Sequence, residues 1–415
     1  MPCGIEKISF YPGTLSLDFR KLARLRKESD LAVIDELMIR ERSVIPLWED
    51  PVTMAVNATV PLLSESDREK IDLVIVATES GVDAEKPISS WVHRFLRLSP
   101  NCRNFEIKCA CYGSTAALRM AIAHVASHPD KEKKALVVTT DQSTQGLGGA
   151  HEYVLGCGSV AMLVSSKPDF LSLDPAKYGI YSQEVADIFR PLPWVEAGNA
   201  ETSLFSYLES LGECFEDYAR RAGDVRLDRD FDHFVFHVPF PGLSYRAHHF
   251  LFKNYSDIGR QAAQDQFDAK TKDSLKLSER IGGVYSGGVY LALLSLMATN
   301  DRIAPGKKVG VFAYGSGSCA EFFSATVGDG AKKAVANGDP LAELNDRLEI
   351  GIEPYELLEK TRFESMQAKT VEIDLGMLGS EFFQTRYVRR NRLVLRKVQD
   401  YYRHYAWSEE CRAGR

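Results

Sequence analysis

The 415-residue sequence predicts an α/β protein, layered around a largely parallel sheet and built from two similar halves. Three observations carry this. Short apolar runs bounded by turn residues read as buried strands at 72–78 (DLVIVAT), 135–140 (ALVVTT), 158–165 (GSVAMLVS), 233–240 (HFVFHVPF) and 308–314 (KVGVFAY). Helix-length segments lie between them, among them 112–127, which stops before Pro129, and 289–299. The order of elements then repeats. In the first half a strand running into Glu79 is followed by a turn and helix opening at Cys111 (CYGSTAALRMAI), then by a strand and a glycine-flanked strand (GCGSVAMLV). In the second half a strand bearing His237 (DHFVFHVPFPG) is followed by a turn and apolar helix (VYSGGVYLALLSL), then by a strand and glycine turn (KVGVFAYGSGSCAEFF). Such an order indicates a duplicated unit and not a short-period solenoid. The halves are expected at 1–168, with Glu79 and Cys111, and at 169–415, with His237. A charge-rich stretch at 328–365 reads as a surface excursion of the second half. If the halves pack about a pseudo-twofold, Glu79, Cys111, His237 and the Gly315 turn converge between them.

Composition narrows the function classes. A net charge of −6 argues against nucleic acid as a general partner. The longest apolar run, VYLALLSLMA, is far short of the roughly 20 residues that cross a bilayer, so no membrane association is expected. No secretory leader is apparent at the N-terminus, and eight cysteines without framework spacing read as reduced thiols of a cytoplasmic protein.

Cys111 follows strand-like FEIK, and Tyr112-Gly113-Ser114-Thr115 opens a helix that is apolar almost all round. A cysteine at such a helix start feels the positive end of the macrodipole, which is expected to lower its thiol pKa and favour the nucleophilic thiolate. Gly113 admits close substrate approach, and N–H groups there suit an oxyanion. A structural cysteine at a tight turn explains the same pattern. Cys109, two residues earlier and without the helix start behind it, reads as packing. Glu79 stands where a buried strand ends, where desolvation raises a carboxyl pKa toward the range useful for proton transfer, or it is a solvated loop residue. Asp83 is its plausible companion. His237 interrupts an apolar strand and is either a satisfied core histidine or a catalytic one. His233 and His237 cannot share a metal, since four residues of strand separate them by about 13 Å; no metal motif occurs elsewhere. The turn Tyr314-Gly315-Ser316-Gly317-Ser318 offers bare backbone N–H groups to an oxyanion or thioester carbonyl.

With Glu79, Cys111, His237 and the Gly315 turn in that order, the chain resembles the 3-hydroxy-3-methylglutaryl-CoA synthase family over nearly its whole length. The segments that carry the resemblance are EDPVTMAVNA (49–58), ATESGVD (77–83), FEIKCACYGSTAAL (105–118), VVTTD (137–141), GCGSVAMLV (156–164), DIFRP (187–191), SLFSYL (203–208), FHVPFPG (236–242), IGGVYSGGVY (281–290) and YGSGS (314–318). The resemblance implies a thiolase-type duplicated fold in α-β-α-β-α layers and a homodimer. It implies that Cys111 takes an acetyl group as a thioester, that Glu79 removes a methyl proton from acetyl-Cys and protonates the new alkoxide, and that His237 binds the β-keto thioester acceptor. Backbone N–H groups at Cys111 and near Ser316 would hold the thioester oxygen. Asp83, Asp141, Asp187, Ser203, Tyr207, Gly283, Tyr285, Gly315 and Ser316 fall at positions that the resemblance places around the substrate.

The opening segment, WEDPVTMAVNA and ESGVDAEKPISSWVHRFL are closer to the branch of the family that works in polyketide assembly. There, acetyl and acceptor groups arrive as phosphopantetheine thioesters on donor and acceptor acyl carrier proteins, with no tightly bound cofactor, and the product is a β-branched intermediate. The CoA-dependent mevalonate-pathway enzyme is the rival with the same chemistry. A decarboxylating ketoacyl synthase fits less well, because it wants a Cys-His-Asn set; a silent carrier-binding module is the alternative from another class. Two departures stand out: Gly283 occupies a place where mevalonate-type members have Asn, and Cys157 one where Ala or Val is commoner. Basic clusters at 20–27 (RKLARLRK) and 387–397 (YVRRNRLVLRK) suit an acidic carrier or are solvated helix faces.

Overall fold

The frame is a mixed sheet whose nine strands, in chain order, are β1 (Cys3–Tyr11), β2 (Ile71–Ala77), β3 (Arg103–Ile107), β4 (Lys134–Gln142), β5 (Cys157–Ser165), β6 (Leu171–Ser182), β7 (His233–Phe236), β8 (Lys308–Gly315) and β9 (Cys319–Val327). Six helices pack on it: α1 (Pro51–Thr59), α2 (Ile88–Phe95), α3 (Gly113–Ser127), α4 (Ala200–Ala222), α5 (Pro241–Tyr255) and α6 (Gly288–Thr299). The computed structural model describes residues 2–27, 29–143, 147–149, 152–335 and 339–412.

The strand order contains the repeat read from the sequence. The first run is β1-β5-β4-β2-β3 and the second β6-β9-β8-β7. In both, the first two pairings are antiparallel and the next is parallel. The runs join where β1 pairs antiparallel with β6, from Cys3 opposite Leu173 to Ile5 opposite Leu171. Under this correspondence β2 matches β7, so Glu79 and His237 stand just past the ends of equivalent strands.

The apolar faces set the layers. Leu73, Ile75 and Ala77 of β2 pack inward on α3 and α6, while Val74 and Val76 face α1 and α2. A strand covered on both sides has no polar face to show, which is why DLVIVAT reads as an unbroken apolar run. In the second half Val235 points to the central helices, and Phe234 and Phe236 point to α4 and α5. The result is α-β-α-β-α, with α3 and α6 in the middle layer. Of the two central helices, α6 is buried nearly all round, as its apolar sequence requires, whereas α3, read from the sequence as apolar almost all round, buries one side and leaves Met120 49% exposed on the other.

The sheet is not largely parallel as the sequence suggests: five of its eight strand pairings are antiparallel, since strands joined by short turns, such as β8 and β9, fold back on each other. Three regions differ as well. The stretch at 328–365 is not a free excursion: its helix Ile352–Ser365 buries Tyr355 and Leu358 against Leu15, Leu17, Phe19 and Ile34 of the first half. The C-terminal hairpin of strands Leu393–Gln399 and Tyr402–Trp407 also returns to the first half. There Asn57 of α1 exchanges hydrogen bonds with both backbone groups of Leu393 (3.1 and 2.8 Å), and Tyr405 and Trp407 pack on Trp91 and Phe95. The strand expected at 233–240 ends at Phe236, since Pro239 has no N–H to offer the ladder.

Gly283 has a packing reason. Its N–H donates to the Val154 carbonyl (2.7 Å) and its carbonyl accepts from the Gly156 N–H (2.9 Å), stitching the loop before β5 to the loop before α6. A Cβ at Gly283 would lie 2.6 Å from the Pro239 carbonyl oxygen. The Gly283→Asn variant is therefore expected to lose about 1–3 kcal/mol of stability in urea unfolding; a variant as stable as the parent would show that the Pro239 segment yields freely.

Candidate active site

Glu79 leaves β2 after Thr78, and its backbone N–H donates to Oδ1 of Asp141 (2.7 Å) at the end of β4. The same oxygen accepts from the hydroxyls of Thr78 (3.1 Å) and Ser80 (3.0 Å). The other, Oδ2, accepts from the Ser286 hydroxyl (3.1 Å), in the turn that leads into α6. Asp141 is 1% exposed, so its charge is satisfied by these donors and not by water. Burial nevertheless raises its pKa to about 6, opposed by the same hydrogen bonds.

The carboxyl of Glu79 points into the protein, with Oε1 buried. Burial, reinforced by the Asp141 charge, lifts its pKa to about 8. Cys111 lies within hydrogen-bonding reach of it. The expectation of an acidified thiol is not met. Burial and the Glu79 carboxylate both push the Cys111 pKa well up, and they outweigh the helix dipole, whose effect is of the order of 1 kcal/mol. Cys111 is thus held as a thiol beside the group able to take its proton.

Neighbouring side chains fix this pair from the second half. The Tyr112 hydroxyl donates to Oε2 of buried Glu321 on β9 (2.8 Å), whose other oxygen is paired with Arg119 of α3. Gly315 presses on the same turn: a Cβ there would sit 2.5 Å from the Tyr112 nitrogen and 2.8 Å from the Cys109 carbonyl oxygen. No side chain fits between the two turns.

His237 is 1% exposed, and burial drops its pKa to about 3, so the ring is neutral near pH 7. Its N–H donates to the Phe312 carbonyl (2.7 Å) and its carbonyl accepts from the Tyr207 hydroxyl (2.8 Å). Nδ1 is buried without a protein partner, against Gly288 at the start of α6. The segment Tyr285–Gly288 accordingly touches every part: Gly288 borders His237, Ser286 binds Asp141, the Ser286 carbonyl accepts from Ser114 of α3 (2.5 Å), and Tyr285 reaches Arg190.

The other expected residues divide. Asp187 is buried and grips the glycine turn, accepting from the Tyr314 hydroxyl (2.6 Å) and the Gly317 N–H (2.9 Å); Ser316 hydrogen-bonds to the same Tyr314 hydroxyl. Asp83 lies on an exposed loop and accepts from its own neighbours Glu85 and Lys86 (2.8 and 2.7 Å). Ser203 is half-buried in the first turn of α4. Arg190 was not singled out by the sequence, although DIFRP contains it. Its guanidinium donates to the Glu79 carbonyl (2.8 Å), to Glu196 (2.6 Å) and to the Tyr285 hydroxyl (3.0 Å). An arginine three residues after Asp187 in DIFRP was the available signal. Ser286 and Glu321 gave none. Among the described residues no cluster of three or more metal-ligating side chains is present.

Comparison with known proteins agrees with this arrangement. Residues 42–169 match the model of the hydroxymethylglutaryl-coenzyme A synthase N-terminal region, and residues 248–405 that of its C-terminal region. The chain is 33% identical over 419 residues to the polyketide biosynthesis 3-hydroxy-3-methylglutaryl-ACP synthase PksG of Bacillus subtilis, covering 97% of this chain and 99% of that one. It is 35% identical over 380 residues to the hydroxymethylglutaryl-CoA synthase of Enterococcus faecalis, covering 90% and 94%. The crystal structure of the curacin biosynthetic pathway HMG synthase in complex with acetyl donor-ACP superposes with a TM-score of 0.93 at 34% identity, over 98% of this chain and all of that one. With this fold, and with a cysteine, a glutamate and a histidine at the ends of equivalent elements, the chain belongs to the hydroxymethylglutaryl-CoA synthase family and is an enzyme of that type.

Proposed function

We propose that this enzyme loads an acetyl group from a donor acyl carrier protein onto Cys111 and adds its carbanion to the β-ketone of a carrier-bound polyketide thioester, giving an HMG-like β-branched intermediate. The observation that carries the reading is the Cys111 thiol set against the buried, high-pKa Glu79 carboxyl. Glu79 takes the thiol proton as the sulfur attacks the donor thioester, and the carrier's phosphopantetheine thiol leaves with a proton. Glu79 next removes a methyl proton from acetyl-Cys111, and the carbanion attacks the acceptor ketone, whose oxygen becomes an alkoxide that Glu79 protonates. Water then cleaves the thioester to Cys111 and frees the thiol. Tethering the donor makes the carbon–carbon step effectively intramolecular.

Neutral His237 suits a hydrogen bond to the acceptor's carbonyl rather than an ion pair. The N–H groups of Cys111 and Ser316, which have no internal acceptor among the described residues, suit the thioester oxygen. Tyr285, Gly315 and Ser316 line the substrate in this reading, whereas Asp141, Asp187 and Tyr207 act by holding other groups. No tightly bound cofactor is invoked.

Carrier dependence is supported by the fit to the curacin synthase bound to its carrier, with a TM-score of 0.93, against 0.84 for an HMG-CoA synthase complexed with CoA. Both basic clusters are partly spent internally: Arg390 pairs with Asp346 (2.5 Å) and Arg392 stacks on Tyr11, while Arg20 pairs with Asp35, Lys21 with Glu349 and Arg26 with Glu152. The helix Phe19–Arg26 keeps exposed Arg24 and Lys27 around Leu25, which is 61% exposed. That face is the candidate carrier dock. Strand β3 has no partner on its outer edge among the described residues, which suits a homodimer built strand to strand. Eight free cysteines suit a reducing cytoplasm.

Incubation with acetyl-carrier protein followed by peptide mass spectrometry is expected to find an acetyl group on Cys111; a fully active enzyme with none there would overturn the reading. The loading rate is expected to rise as pH increases through about 8, where Glu79 becomes a base. Glu79→Gln should remove that inflection and slow loading by about 10²–10⁴-fold. Asp141→Asn withdraws a negative neighbour and should move the inflection to lower pH, visible in the same pH–rate profile. Arg24→Glu combined with Lys27→Glu should raise KM for acetyl-carrier protein and leave KM for acetyl-CoA unchanged; equal effects on both donors would exclude this helix as the dock.

A further inference from the structure

Two thiols with no part in this chemistry face each other across the seam between the halves. Cys109, past the end of β3, and Cys319, the first residue of β9, lie within hydrogen-bonding reach of one another. Their backbones are close as well, since Cys319 pairs with Gly315 in the β8–β9 ladder and Gly315 packs on the Cys109 carbonyl. Both are half-buried, as are Cys111 and Cys411, whereas Cys3, Cys102, Cys157 and Cys214 are buried. Ser182 donates a further hydrogen bond to the Cys319 sulfur (3.4 Å). These donors, with Cys109 the stronger, lower the Cys319 pKa against its burial while that of Cys109 is raised, so Cys319 is the more readily ionised of the two. Cys111, also half-buried but set against the Glu79 carboxylate, is held as the thiol. Because thiolates and not thiols react with oxidants, the pair is oxidised ahead of the nucleophile.

We propose that Cys109 and Cys319 are an oxidation site that closes to a reversible disulfide and in doing so switches off acyl loading at Cys111. With a peroxide as oxidant, the Cys319 thiolate attacks one peroxide oxygen, giving a sulfenic acid and, after protonation, water. The Cys109 sulfur then attacks the Cys319 sulfur; the S–S bond forms, the S–O bond breaks, and the hydroxide leaves as water with the Cys109 proton. A reducing dithiol returns both thiols by exchange. Closing to an S–S length of about 2.05 Å draws the Cys109 segment toward β9. Cys109 is two residues from Cys111, and Ala110 between them already holds a left-handed φ of 44°. The movement therefore passes to the nucleophile and spoils its alignment with Glu79.

The test is mild hydrogen peroxide treatment of the full-length enzyme, followed by non-reducing peptide mapping and an acyl-loading assay. The expected result is a linked Cys109–Cys319 peptide, loading slowed on the order of tenfold or more, and recovery of both with dithiothreitol. Cys109→Ser and Cys319→Ser should each load normally and resist peroxide. Oxidation of Cys111 or other thiols without the linked peptide overturns the site, and a linked peptide with unchanged loading overturns the switch. The loss of function rests on loading at Cys111, but the linked peptide does not, so failure of that functional reading is seen separately as an absent acetyl adduct.

Discussion

The site depends on a buried carboxylate that must be satisfied without water. Asp141 accepts hydrogen bonds from the Glu79 backbone, from Thr78 and Ser80, and from Ser286 across the interface between halves. An ionised carboxylate left unpaired in such a place costs several kcal/mol, so the fold has one way to bury it: with the strand end that carries Glu79 and the turn that opens α6 both in place. Ser286 also receives Ser114 of the Cys111 helix through its carbonyl, and its neighbour Gly288 borders His237. One charge thereby fixes groups from both halves.

Duplication explains why that position exists. Equivalent strands β2 and β7 lead into Glu79 and His237, while α3 and α6 of the middle layer bring Cys111 and the Ser286 turn beside them. Low dielectric then tunes the three groups in different directions. It raises the pKa of the Glu79 carboxyl, raises that of the Cys111 thiol and lowers that of the His237 imidazole, each toward its neutral form. A thiol beside a carboxyl whose pKa is raised suits the proton transfer of the proposed reaction, and a neutral imidazole brings no charge into the site.

Much of the frame was legible in the sequence because the signal there is local. Runs such as DLVIVAT and VYLALLSLMA declare burial on all sides, and the repeated order of elements foretold the repeated strand order. What escaped was long-range. The hydrogen bond from Ser286 to Asp141 spans 145 residues and that from Tyr112 to Glu321 spans 209, and no periodicity marks either. The C-terminal hairpin and the helix Ile352–Ser365 pack on the first half because exposed apolar surface remained there, which strand and helix propensities do not encode. At Cys111 helix position alone argues for a thiolate, whereas desolvation beside a carboxylate keeps it a thiol.

Asp141 and Ser286 act as one unit in holding the site across the halves, which a double-mutant cycle on the condensation rate tests directly. Asp141→Asn, Ser286→Ala and the double variant are predicted to show a coupling energy of about 0.5–3 kcal/mol, the double variant being little slower than Asp141→Asn alone. Strictly additive effects would contradict the account.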